Sequence, residues 1–210
     1  MSCTNGRTWT SLGVCLLMAI QAGMETTAAE EGVFVAVGYG GRRMVSKDGK
    51  TWEITAEWAV NGADDSNNLM SIAHGNGRFV AVGGGGWTRE TQAGHILVST
   101  DGKTWKETLK LANRVNPVIF GNGLFVTSGP PDKTLYSSAD GETWQAGAKV
   151  PFEGWALWFR QGAYGNGTFV MMGECMPKKE KYWVVASPDG KTISHFSTDL
   201  PHLRSLAFGG

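Results

Sequence analysis

Cysteine, excess charge and long apolar runs are all scarce in this chain. Of its 210 residues only three are cysteine, at Cys3, Cys15 and Cys175. The first two fall in a leader-like segment, which leaves a single cysteine and therefore no internal disulfide to staple the fold. Burial alone must hold the core, and roughly 180 residues suffice for that in one domain. Lys plus Arg equal Asp plus Glu at 19 each, for a formal net charge of zero. That balance lacks the basic footprint of a nucleic-acid binder, so no nucleic-acid partner is expected. The apolar run from Leu12 to Ile20 is too short to span a bilayer, and no transmembrane anchor is expected. His74, His95, His195 and His202 are scattered without metal-ligand spacing. No metal and no cofactor are expected.

Residues 1–29 read as an export signal. Arg7 lies ahead of the apolar run, and the segment closes on Thr27-Ala28-Ala29, small residues that suit a signal peptidase. Glu30 would begin the mature chain, in a periplasmic or extracellular setting. Leu12-Gly13-Val14 before Cys15 resembles a lipid-attachment site, but the apolar run continues past that cysteine.

Glycine is abundant, at 30 residues, and its placement is periodic. Ser-x-Asp-Gly-x-Thr-Trp occurs at 46–52, 99–105 and 138–144, and again at 187–193 with Ile193 in place of tryptophan. Gly-Asn-Gly-x-Phe-Val alternates with it at 75–80, 121–126 and 165–170, with a shorter form at Gly32-Val33-Phe34-Val35. Two alternating motifs mark an internal repeat. Around each Gly-Asn-Gly, where positive φ is tolerated, two short apolar runs read as a hairpin. The Asp-Gly turn joins two more strands. Four antiparallel strands in about 40 residues form the unit of a β-propeller blade.

The expected fold is therefore all-β, a propeller of four-stranded antiparallel blades over residues 30–210. The blades lie at roughly 33–60, 68–108, 113–147 and 155–198. Leu203 to Gly210 matches a first strand. Either it pairs with the start of the domain, so that 202–210 completes the first blade of a closed four-bladed ring, or the chain is the front part of a six- to eight-bladed propeller. The Gly-Gly end favours the second arrangement.

These repeats resemble the Asp-box, or BNR, repeat of sialidases, photosystem II assembly factors and sortilin-type receptors. The resemblance covers essentially the whole chain after the leader. The motif is one residue shorter than the common family form between Asp and Gly. It implies a structural hairpin on the face opposite any active site. Structural roles are thus implied for Ser46, Asp48, Gly49 and Trp52, for Ser99, Asp101, Gly102 and Trp105, for Ser138, Asp140, Gly141 and Trp144, and for Ser187, Asp189 and Gly190. Four repeated aspartates make a poor catalytic set, because an active site is built once.

Long irregular loops fall on the other face, where binding residues collect. The candidate ligand-binding residues there are Arg42, Arg43, Trp58, Trp87, Arg89, Arg114 and Trp155. Asp64, Asp65, Glu90, Glu153, Glu174 and Lys178 share those loops, and Cys175 is read as a loop residue beside Glu174. The sialidase resemblance implies an arginine in a Phe/Tyr-Arg-Ile-Pro motif, which this sequence lacks. No catalytic residue is assigned. The expected function is an exported, non-catalytic propeller that binds a glycan or a protein partner through its loop face. A sialidase-like exo-glycoside hydrolase is the alternative, and an assembly factor or scaffold the second.

Overall fold

The computed structural model describes residues 32–58, 67–85, 93–129, 133–152, 156–176, 182–201 and 203–209. The leader segment of residues 1–29 lies outside the described residues.

Strands are the only extended regular elements among these residues, and they fall into four antiparallel sheets. The first sheet joins β1 (Phe34–Val37), β2 (Arg43–Ser46) and β3 (Glu53–Ala56), with a short 3-10 turn at Tyr39–Gly41. The second runs through β4 (Leu69–Gly75), β5 (Arg78–Gly85), β6 (Ala93–Ser99) and β7 (Lys106–Leu111). The third holds β8 (Val118–Gly121), β9 (Leu124–Ser128), β10 (Thr134–Ser138) and β11 (Gln145–Lys149). The fourth holds β12 (Ala156–Gly165), β13 (Thr168–Met176), β14 (Tyr182–Ser187) and β15 (His195–Leu200). Within each sheet, consecutive strands pair in sequence order. Successive sheets touch through β1 and β4, β4 and β8, and β8 and β12.

Turn chemistry sets the hairpins. Asn76, Asn122 and Asn166 have φ of 48, 46 and 47°, and the glycine after each is also left-handed, the geometry that suits tight right-twisted hairpins. The Asp-Gly turns use a carboxylate instead. Asp101 Oδ1 accepts from the backbone N–H of Lys103 at 2.8 Å and of Thr104 at 2.7 Å, and from Ser99 Oγ at 2.9 Å. Ser99 Oγ in turn accepts from Gly102 N–H at 2.8 Å, and Trp105 Nε1 closes the turn on Gly102 O at 2.9 Å. Asp48, Asp140 and Asp189 accept from the corresponding backbone N–H pairs.

The core lies in the seams between sheets. Val80, Val82, Ile96 and Val98 of the second sheet pack with Val118 and Phe125 of the third, and Trp144 closes that cluster. Ile119, Val126 and Leu135 of the third sheet pack with Phe169, Met171, Trp183 and Val185 of the fourth. Two rows of glycine set the approach. A Cβ on Gly75 would stand 2.3 Å from Phe120, one on Gly121 2.0 Å from Tyr164, and one on Gly165 2.1 Å from Phe208. The hairpin glycines Gly102, Gly141 and Gly190 likewise abut Val35, Val80 and Val126 of the preceding sheet, where a Cβ would come within 2.5 to 2.6 Å.

Two loop assignments are corrected. Gly83, Gly84, Gly85 and Ala93 belong to paired strands, Gly83 opposite His95 and Gly85 opposite Ala93. Glycine there lets backbones close in, since a Cβ on Gly83 would sit 2.0 Å from Asn68 O. Cys175 is in β13, opposite Leu157, because β12 and β13 extend their ladder beyond a bulge at Arg160.

The hairpin carboxylates make the fold acid-sensitive. The threonine N–H bonds lead in holding Asp48, Asp101 and Asp140 down to about 2. An unfolded aspartate titrates near ~4. The stabilisation is therefore complete above about pH 4 and is lost as the pH falls from there toward 2. The urea midpoint should hold steady from pH 7 to 5 and drop between 4 and 2. The gap between the unaltered chain and Asp101→Asn should narrow over the same window, and parallel curves would contradict this.

Candidate functional site

Two clusters occupy the loop face. The first sits where the connection after β3 crosses to the second sheet. Trp58 N–H donates to Gly40 O at 3.0 Å, which fixes its backbone, and its ring lies against Gly41, where a Cβ would stand 2.0 Å away. The Arg43 guanidinium lies 5.0 Å from the centre of that ring, a cation–π distance. Arg43 is only 6% exposed and donates through Nε to Gly41 O at 2.9 Å. Burial lowers its pKa. Arg42 points elsewhere and pairs with Glu57 at 3.1 Å.

Behind Trp58 stands His95, ring centres 4.6 Å apart. Buried His95 lies between Glu107 Oε1, 2.6 Å from Nδ1, and Asn67 Oδ1, 2.9 Å from Nε2. Asn68 Oδ1 accepts from Gly40 N–H at 3.1 Å. The first cluster is thus a packed, hydrogen-bonded seam with one edge open, since Trp58 stays 39% exposed.

The second cluster lies at the loop end of the third and fourth sheets. Val115 N–H donates to Gly83 O at 3.0 Å and Asn116 N–H to Ser128 O at 2.9 Å, which wedges the Arg114 backbone between two sheets. Arg160 occupies the β12 bulge and donates to Glu174 Oε1 through Nη2 and, at 2.9 Å, through Nε. Burial, and then the neighbouring charge of Arg160, push the Arg114 pKa down to about 10. Arg160 and Glu174 thus form an ion pair on the fourth sheet, beside the connection that carries Arg114. Asn116 staples the pair, because its Nδ2 donates to Phe159 O at 3.0 Å and Arg160 O at 3.1 Å.

Of the sequence candidates, the structure places Arg42, Arg43 and Trp58 near one another and Arg114 in the second cluster. Trp87, Arg89 and Trp155 lie outside the described residues, as do Asp64, Asp65, Glu90, Glu153 and Lys178. Sequence reasoning did not single out Glu107, Asn116 or Arg160, and it named His95 only as one of four scattered histidines. Folding the strands back from Asp101-Gly102 brings Glu107 opposite Leu97, diagonal to His95, so that pair was within reach. Asn116 acts across sheets and leaves no local signal. Among the described residues no group of three or more His, Cys, Asp or Glu side chains is placed to hold a metal ion, and no helix is long and apolar enough to cross a membrane.

No protein-family model matches the sequence, and no curated protein matches it. Solved structures do. YCF48 bound to D1 peptide aligns with a TM-score of 0.54 at 17% identity, over 85% of this chain and 54% of that one. The fold is a β-propeller. Luciferin-regenerating enzyme aligns at 0.57 and 13% identity, over 87% of this chain and 64% of that one. The computationally designed Ika8 protein aligns at 0.54 and 14% identity, over 87% of this chain and 51% of that one. Identities this low carry the fold alone. The chain spans 51 to 64% of the length of these three neighbours.

Within a propeller the four sheets are blades, and β4, β8 and β12 are inner strands that face the axis. Arg160 stands on the inner strand β12, and Arg114 four residues ahead of the preceding one, β8. Asn116→Ala would strip both carbonyls of their donor at a buried seam. It should cost about 1–3 kcal/mol of stability by urea titration, whereas Arg42→Ala, at a half-exposed ion pair, should cost about 1 kcal/mol or less.

Proposed function

We propose that this protein is an exported binding propeller whose loop face takes a carboxylate-bearing segment of a protein partner. The observation that carries this reading is the pair of bonds from Asn116 Nδ2 to Phe159 O and Arg160 O, which sets the Arg114 segment beside Arg160 of the next blade. Paired guanidiniums match the planar fork of a carboxylate. Glu174 Oε1 accepts from Arg160 and fixes the direction of its guanidinium. The Asn116 staple presets its geometry, which lowers the entropy lost on binding.

A peptide ligand fits better than a sugar. A glycan platform would draw on Trp58, Trp87 and Trp155, and the ring of Trp58 is already engaged by Gly41, Arg43 and His95. The peptide in the YCF48 structure supports the same choice by analogy of fold. Export rests on the leader composition of residues 1–29.

The purified chain should be applied to an array of peptides with free carboxylates and to their amidated counterparts, with a glycan array in parallel. Peptide binding that depends on the carboxylate and falls at least tenfold, about 1.4 kcal/mol, in Arg114→Gln is expected. Signal on glycans alone, or peptide binding indifferent to Arg114→Gln, would overturn the proposal.

A further inference from the structure

The four blades share one ladder position, and in the first blade a charged residue fills it. Val37, Val82, Ser128 and Met172 each lie three residues after the phenylalanine of the repeat. Their ladder partners are Arg43, Ile96, Leu135 and Val184. Ile96 and Leu135 are buried at 0% and 1%, in the seams toward the next blade. Arg43 is nearly as deep, at 6%. Residues opposite each other in an antiparallel ladder share a face, and Val37 packs against Leu69, Ala81 and Leu97 of the second blade. Arg43 therefore faces the seam between the first and second blades.

The partners of this guanidinium account for part of it only. Nε donates to Gly41 O at 2.9 Å, and the Trp58 ring covers it at 5.0 Å. Among the described residues no carboxylate lies within ion-pair distance of Arg43, and its two Nη groups have no hydrogen-bond partner. Arg42, next in sequence, has Glu57. Burial alone lowers the Arg43 pKa, with no neighbouring charge contributing. A buried ion without a counter-charge is costly, and the ring offsets some of that cost. Packing by itself would be served by an apolar residue, as at Ile96 and Leu135. The stem and Nε of Arg43 belong to the packing, and the Nη edge is left over. That edge reaches solvent. Among the described residues the fully enclosed side-chain atoms without a partner are Thr127 Oγ1 and Trp183 Nε1, and the Nη groups of Arg43 are not among them.

We propose that Arg43 receives a carboxylate at the mouth of the seam between the first and second blades, beside the open edge of Trp58. The shape of what remains free selects the ligand. One face of the guanidinium is under the ring and Nε is spent on Gly41 O, so the planar Nη pair is left, and a carboxylate matches it with two parallel bonds. The receptor is set before the ligand arrives, because Trp58 N–H is tied to Gly40 O and Gly40 N–H to Asn68 Oδ1. Ordering the long arginine side chain is thus already done by the fold, which spares the ligand that entropy. The site lies one seam before Arg114 and Arg160 and holds whether or not those residues bind a partner.

Nuclear magnetic resonance on the nitrogen-15-labelled chain tests this, with sodium acetate titrated against sodium chloride at constant ionic strength. The Arg43 Nε–H resonance should shift and saturate, and should do so equally in an Arg114→Gln chain. A resonance that stays in place, or that moves further with phosphate than with acetate, would overturn the proposal. A capped peptide holding one glutamate, titrated in parallel, identifies the source of the carboxylate. Saturation below the acetate concentration assigns a peptide side chain, and saturation only at or above it assigns a free small carboxylate. Thermal unfolding gives a second reading. Acetate should raise the midpoint of the Arg114→Gln chain by a few degrees, and adding Arg43→Gln should abolish the rise. A rise that persists in the folded double variant would also overturn the proposal, and the resonance titration decides the matter if that variant does not fold.

Discussion

A residue without a side chain, pressed against the next sheet, is the contact on which this structure depends. Gly75 and Gly121 receive the aromatic ring of the following inner strand, and Gly102, Gly141 and Gly190 enter the valine layer of the preceding blade. Each seat closes a seam to van der Waals distance, where dispersion is gained from many atoms at once. The hairpin carboxylate makes the seat possible. By accepting two backbone N–H groups, Asp101 and its counterparts hold the turn in which the adjacent glycine has φ near 70°. A polar contact on the surface thus fixes an apolar contact in the core.

The same seams present the loop face. Backbone bonds from Val115 to Gly83 and the side-chain bonds from Asn116 to Phe159 and Arg160 run from blade to blade. They tie the Arg114 connection and the Arg160 strand to the neighbouring blades. Trp58, Arg43 and His95 do the equivalent work one seam earlier, as a stack between blades 1 and 2.

Much of the fold was legible because its devices are local. Asn-Gly and Asp-Gly turns need particular residues at particular steps, so they repeat in the sequence wherever they repeat in space. Where strands meet through bare backbone, the sequence misleads. Gly83 to Gly85 look like a loop and are a strand, since close approach and flexibility call for the same residue. The site was less legible for a related reason. Arg114 and Arg160 are 46 positions apart in number, and their proximity comes from blade stacking, which no spacing records. Arg43 read as a binding residue from its charge, while its place under Trp58 makes it part of the packing.

The central claim is that the hairpin glycines couple each blade to the one before it. Hydrogen exchange on Gly141→Ala tests this most directly. A Cβ there would stand 2.6 Å from Val80 and 3.0 Å from Val98, both in the second blade. Protection in β5 and β6 should fall along with protection in the hairpin that carries the substitution, while β14 is affected least. Faster exchange confined to residues 138–144, with β5 and β6 unchanged, would contradict the account.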